Sequence, residues 1–283
     1  MLNLIKMNFY RFFKTWVFYI TLLIIIITFG LLARIETEPR TQEHYQQMEQ
    51  EQGSTEEEHV GIVASEEVTA ETSFEQLYAG FTSSGYLLIM VGVFAIVYSE
   101  GERKSGFLKN LLTTRKGKKN IFLSKISVVF LYTLILFLGS LLAIRLGSLG
   151  RGAGMFEVLS MTALIRFMSF EVLLHTVFGI AMMALYEITR NTIIPVMVVV
   201  FGSANLHGLL LEMLEGKLVS MNPGLSGFME KYALSKNLIV SITEGLGHIG
   251  NPIPYVNIIV VFAIGLFLYS LMGTLIFVNR DTI

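Results

Sequence analysis

The sequence predicts an all-α integral membrane protein with six transmembrane helices, and three observations predict it. Six apolar runs recur along the chain, each long enough to approach the roughly 20 residues that cross a bilayer as helix. Charged residues make up 15% of the chain and mean hydropathy is +0.63, where soluble domains carry about 25% charge. The charges that remain are segregated, with one short segment strongly basic and one long segment strongly acidic. The chain has no Cys, which removes disulfides, thiolate metal sites and cysteine nucleophiles.

Residues 1–15 carry Lys6, Arg11 and Lys14 among Leu2, Ile5, Phe9, Phe12 and Phe13. An apolar stripe opposite cations suits a helix lying in the membrane interface, the alternative being a basic flank to the first span. Trp16 to Ala33 holds no charge over 18 residues and forms span one. It is longer than a signal-peptide core and lacks a small-x-small cleavage site, so it is expected to be retained.

From residue 34 to residue 76 twelve glutamates face two arginines, a net of -10. This acidic extracytoplasmic loop is either a solvated connector or a vestibule that steers cationic solutes and peptides toward the bundle. Leu77 to Tyr98 is span two, with Gly80, Ser83, Ser84, Gly85 and Gly92 permitting close helix approach.

Residues 99–125 carry eight cations against Glu100 and Glu102, a net of +6 between two spans, which the positive-inside rule places in the cytoplasm. Phe107, Leu108, Leu111 and Leu112 recur at helical spacing, so Glu102 to Thr113 reads as a short amphipathic helix. Such a helix needs a partner or a lipid surface.

Ile126 to Ile144 is span three, and a Gly-rich turn region leads to span four, Phe167 to Tyr186. Asn191 to Leu211 is span five, in which Pro195 is expected to kink the helix. Residues 212–254 mix apolar pieces with Gly and Pro and read as extracytoplasmic or re-entrant helices. Tyr255 to Val278 is span six. Six spans put both termini on one side, and 13 of the 21 cations then fall inside against eight outside, so both termini are expected in the cytoplasm.

No G-x-x-x-x-G-K-[ST] phosphate loop and no H-E-x-x-H zinc motif occurs, so the chain is expected to carry no ATPase site, cofactor or metal of its own. Gly224-Leu225-Ser226-Gly227 with the distant His248 resembles the serine–histidine arrangement of rhomboid-type proteases, but Ser226 lies in irregular, Pro-flanked sequence rather than opening a span. Glu171 and His175 are the one ionisable pair inside a predicted span, four residues apart and therefore on one helix face. A carboxylate in hydrocarbon costs about 3 kcal/mol on insertion scales, so the pair should face the bundle interior. Three roles fit it. It is an interhelical clamp with Arg166 or Arg145, a polar substrate contact, or a proton-linked or metal site, and His207 near the outer end of span five is a further group that could join the pair.

The segment E-x-x-x-G-F-L-K-N-L-L from Glu102 to Leu112, followed by Lys125 at the opening of span three, resembles the E/D-x-x-x-G-T/F-x-K-x-L-L segment of small ABC-2 type permeases. These are transmembrane subunits of ABC exporters of the type V architecture, and the resemblance covers essentially the whole chain, 1–283, as a single transmembrane domain. It implies that 99–125 is a cytoplasmic coupling loop in which Glu102, Gly106, Phe107, Lys109, Leu111 and Leu112 contact a separate nucleotide-binding subunit. It implies two cytoplasmic ABC ATPase subunits that bind ATP and Mg, and a second permease copy or paralogue in the membrane. No nucleic acid is involved. Small bacterial members often handle peptides, and a loop of -10 is compatible with a cationic or amphipathic peptide substrate whose pathway includes Glu171 and His175. The multi-pass protein is then expected in a bacterial plasma membrane. A proton- or ion-coupled secondary carrier built on Glu171 and His175, and a non-transporting peptide sensor, are the rival readings.

Overall fold

The computed structural model describes residues 2–36, 74–104, 115–149, 160–247 and 255–279, and every regular element among them is helical. The amphipathic helix α1, Leu2–Lys14, turns at Thr15 into α2, Trp16–Glu36. Two helices follow the acidic segment, α3, Phe74–Ser83, and α4, Tyr86–Lys104. Next come α5, Arg115–Gly147, and α6, Met161–Thr189. Then α7, Ile193–Ser203, leads to α8, Leu206–Met221. A 3-10 turn, Pro223–Leu225, precedes α9, Ser226–Tyr232, α10, Leu234–Asn237, and α11, Ile239–Gly247. The long α12, Tyr255–Asn279, closes the described chain.

Among the described residues four helices, α2, α5, α6 and α12, are each long and apolar enough to cross a membrane, and the number rises to six if each of the bent pairs α3–α4 and α7–α8 is one span. At α6 the sequence is apolar on all sides, and 72% of its spanning window is buried against 17% for α12, so α6 is the axis of the bundle and α12 its rim. Helices α4, α5, α7, α11 and α12 all pack on α6, while α2 lies along α5. Aromatic rings bind the α1 end of this assembly together: Phe94 stacks on Tyr132 at 3.7 Å, Phe12 meets Phe94 edge-on at 5.7 Å, and the Tyr132 hydroxyl donates to Thr21 Oγ1 at 2.9 Å.

The N-terminus of α6 has a cap that joins two elements. Ser160 Oγ accepts from the Ala163 amide at 3.3 Å, and Glu75 Oε1 accepts from the Ser160 amide at 2.6 Å. A carboxylate belongs at the positive end of a helix dipole. Glu75, counted by sequence with the acidic loop, is thus turned inward and buried.

Span two is not one straight helix but a pair bent by 47°. Thr82 and Ser83 bond back to the carbonyls of Tyr78 and Ala79, both at 2.7 Å, and Ser84 to that of Phe81, also at 2.7 Å; such back-bonding competes with the helical ladder. Span five is bent by 67°, and the break is at Asn205 rather than at Pro195. Pro195 is the third residue of α7, within the first turn, where a missing N–H leaves no ladder bond broken. Asn205 has φ 52°, a left-handed conformation that Asn tolerates better than most residues. Its side chain ties the break to α11, donating to Glu244 Oε2 at 2.7 Å and accepting from Ser241 Oγ at 3.2 Å. The expected boundary at residue 212 therefore falls in mid-helix, because α8 runs on to Met221.

The two bends meet. A Cβ on Gly85 would overlap the carbonyl oxygen of Ser203, the last residue of α7, and a Cβ on Gly247 would overlap Ser83 Oγ. The small residues of span two thus serve the contact between two breaks, where backbones approach more closely than any side chain allows.

Candidate functional site: an ion cluster at the base of the basic loop

Four charged side chains from four helices converge where α4 ends and the basic loop begins. Glu102 sits on the last turn of α4, Lys125 eleven residues into α5, Glu187 on the last turn of α6 and Arg11 on α1. Lys125 Nζ lies 2.8 Å from Glu102 Oε2 and donates a hydrogen bond to Glu187 Oε1 at 3.3 Å. Arg11 donates to the other carboxylate oxygen of Glu102 at 3.1 Å. The Lys125 ammonium also lies 5.0 Å over the Phe277 ring of α12.

Position and burial explain why these charges must meet. Both acids lie at helix C-termini, where the helix dipole disfavours negative charge. The side chains of Lys125 and Glu102 have no exposed surface, and an ion in that environment carries a desolvation penalty of several kcal/mol unless it is paired. Two cations and two carboxylates bring the cluster to neutrality. Asn8 Nδ2 donates to Ser124 Oγ at 2.6 Å beside it, fixing α1 on α5.

The resemblance implies that Glu102 contacts a nucleotide-binding subunit. The structure turns Glu102 inward, because its carboxylate answers Lys125 and Arg11 rather than solvent. Glu102 and Lys125 are the first and last letters of the motif, so one buried ion pair closes the loop between them at its base. Gly106, Phe107, Lys109, Leu111 and Leu112 lie outside the described residues. Sequence reasoning missed Arg11 and Glu187 as partners. The only available signal was that each is a charge at the edge of an apolar run.

Glu171 and His175 do meet on one face of α6, with His175 Nδ1 3.1 Å from Glu171 Oε2 and 2.9 Å from the Glu171 carbonyl oxygen. Both are buried, and the imidazole stands edge-on to Phe137 of α5 at 4.9 Å. Nε2 of His175 and Oε1 of Glu171 have no hydrogen-bond partner among the described residues. Arg166 lies over the Tyr255 ring at 4.8 Å and Arg145 over the Phe74 ring at 5.7 Å, so neither arginine completes the expected clamp. His207 remains at the α7–α8 break, beside Gly202. No group of three His, Asp or Glu side chains suited to a metal ion occurs among the described residues. Ser226 is exposed on α9, and His248 lies outside the described residues.

Among the described residues the chain offers structural joints and a buried polar pair. Its sequence matches the family described as ABC-2 family transporter protein over residues 58–205, just over half of the chain. The matched region contains the whole α3–α4 pair, ends at the break after α7, and contains Glu102, Lys125, Glu171, His175 and Glu187. No curated protein matches the chain as a relative. With an all-helical bundle of four to six candidate spans and a family match over most of its centre, the chain belongs to the ABC-2 transporter family, as a multi-pass permease component of an ABC transporter.

Proposed function

We propose that the chain is the transmembrane subunit of an ATP-driven exporter that moves a cationic or amphipathic peptide outward across a bacterial plasma membrane. It works beside a second copy or a paralogue and is energised by two cytoplasmic ABC ATPase subunits, which bind ATP and Mg. The chain itself does no covalent chemistry, and both its termini are cytoplasmic.

The observation that carries this reading is the ion cluster. Residues 105–114 leave α4 two residues after Glu102, and α5 returns through Lys125. The pair they form also holds α1 through Arg11 and α6 through Glu187. A displacement of the loop is thereby delivered to the axial helix of the bundle, which is what a push from an ATPase requires in order to shift packed helices between two arrangements. The net of -10 across residues 34–76 supports a cationic substrate, which such a field attracts from solution.

The test is recovery of the ATPase with the chain from mild detergent, comparing wild type with Phe107→Asp/Leu111→Asp. Wild type brings the ATPase down and the variant loses it, because two charges replace two large apolar side chains of the basic segment. A chain recovered alone in both preparations overturns the proposal.

In this reading Glu171 and His175 line the substrate pathway when the bundle opens. The unpartnered Oε1 and Nε2 support this, since a half-satisfied polar pair in the interior is unfavourable unless another state completes it. Glu171→Gln and His175→Ala are each expected to lower peptide transport by about tenfold or more, the loss of one charge-assisted hydrogen bond of roughly 1.5–3 kcal/mol, at unchanged expression and fold. Undiminished transport assigns the pair to packing instead.

A further inference from the structure

We propose that the outer edge of α1 is a binding surface for anionic phospholipid headgroups. This goes beyond the transport reading and does not depend on it.

Helix α1 has two unlike sides. Its inner side is spent on the protein: Asn8 and Phe12 are buried, Asn8 bonds to Ser124 at 2.6 Å, and Arg11 is committed to Glu102. Its outer side carries Lys6, Tyr10, Phe13 and Lys14, all exposed. Residues 6, 10 and 14 stand one above another at four-residue spacing, with Lys14 Nζ 4.6 Å over the Tyr10 ring. Neither Lys6 nor Lys14 is ion-paired to a described residue, so both remain available to an external anion.

The turn at Thr15 sets the depth of this edge. Phe12 and Phe18 rings meet at 4.5 Å and the Tyr19 hydroxyl donates to the Phe13 carbonyl at 2.8 Å, contacts that residues six apart do not make on a straight helix. Helix α1 is therefore folded back at the head of the first span. Trp16, 79% exposed, and Tyr19, 50% exposed, mark that level as the headgroup region, where amphipathic rings collect. The patch continues directly into the exposed apolar side of α2, through Ile20, Leu23 and Ile27, which a bilayer covers. Two free ammonium groups set among exposed rings, contiguous with a lipid-facing helix, complement a surface that is anionic above and apolar below.

Trp16 is the only tryptophan in the chain, which makes it a reporter of the lipid beside α1. The full chain is reconstituted in vesicles containing equal mole fractions of phosphatidylglycerol and phosphatidylcholine, with one or the other brominated, and quenching of Trp16 is compared. Each lysine near the surface is expected to enrich the anionic lipid by about fivefold, so brominated phosphatidylglycerol quenches more strongly, and raised salt reduces the difference. In Lys6→Gln/Lys14→Gln, whose two sites are exposed and leave the fold intact, the preference falls toward one. Equal quenching by both lipids in wild type overturns the proposal, as does an undiminished preference in the double variant. If the double variant keeps the lipid preference but no longer recovers an ATPase from native membranes, the surface belongs to that protein and the proposal fails.

Discussion

Lys125→Met is expected to destabilise the protein by about 3–5 kcal/mol, the loss that follows when one member of a buried ion pair is removed. The methionine fills much the same volume, so the effect comes from charge. Glu102 would keep the Arg11 guanidinium but lose the Lys125 ammonium, and Glu187 would lose its hydrogen bond from Lys125, leaving an excess of negative charge in a site where Glu102 has no solvent. Removing the opposing charge as well should restore much of the loss. Lys125→Met/Glu102→Gln is therefore expected to lie well above the single variant, since a neutral buried pair carries far less desolvation penalty than a lone ion. Thermal unfolding in detergent, followed by the loss of the monodisperse peak in size exclusion, measures all three proteins. A single variant as stable as wild type would show that the cluster is not what holds α4, α5 and α6 at the base of the loop. If the double variant keeps its stability but loses transport, the pair is needed to deliver motion and not merely to hold the fold.

Gly85→Ala is the second large effect. A methyl there meets the backbone carbonyl of Ser203, which cannot rotate away as a side chain would, so the bends of spans two and five must separate. Overpacking of this kind costs about 3 kcal/mol or less when the neighbour yields, and backbone neighbours yield least. Gly101→Ala is the matched control, because nothing lies within 4 Å of its Cβ, and in the last turn of α4 it should stabilise by less than about 1 kcal/mol. The same unfolding measurement reads both. Equal stability of Gly85→Ala and Gly101→Ala would mean that the two bends are not in contact in the membrane.

Much of the fold was legible because it follows from one solvent property. Hydrocarbon admits only helices or closed barrels, so apolar length alone locates α2, α5, α6 and α12, whose observed bounds extend the expected spans by eleven residues at the start of α5, six at the start of α6 and three or fewer elsewhere. The two bent elements were less legible. The small residues of span two were visible, but whether Ser83, Ser84 and Gly85 would serve a straight interface or a break depends on what stands opposite, and Ser203 is 118 residues away. In span five the Pro gave a false signal, since a proline near a helix start is permissive, and the break fell at an Asn whose left-handed conformation is held by Ser241 and Glu244.

The candidate site divides in the same way. The sequence by itself determined that the chain is a helical membrane protein, that its basic and acidic segments are segregated, and that Glu171 and His175 share one helix face, because hydropathy, charge counts and four-residue spacing are local quantities; the ABC-2 kind entered through the resemblance of the segment Glu102 to Leu112. Only the tertiary structure decided that Glu102 points inward to Lys125, that Arg11 and Glu187 complete the cluster, and that Glu75 caps α6. Each of these pairs joins residues from 62 to 91 positions apart or closes a loop, as with Arg11 and Glu102 or Lys125 and Glu187. Charges of that separation are brought together by helix packing, and the desolvation that then compels them to pair exists only once the bundle has formed.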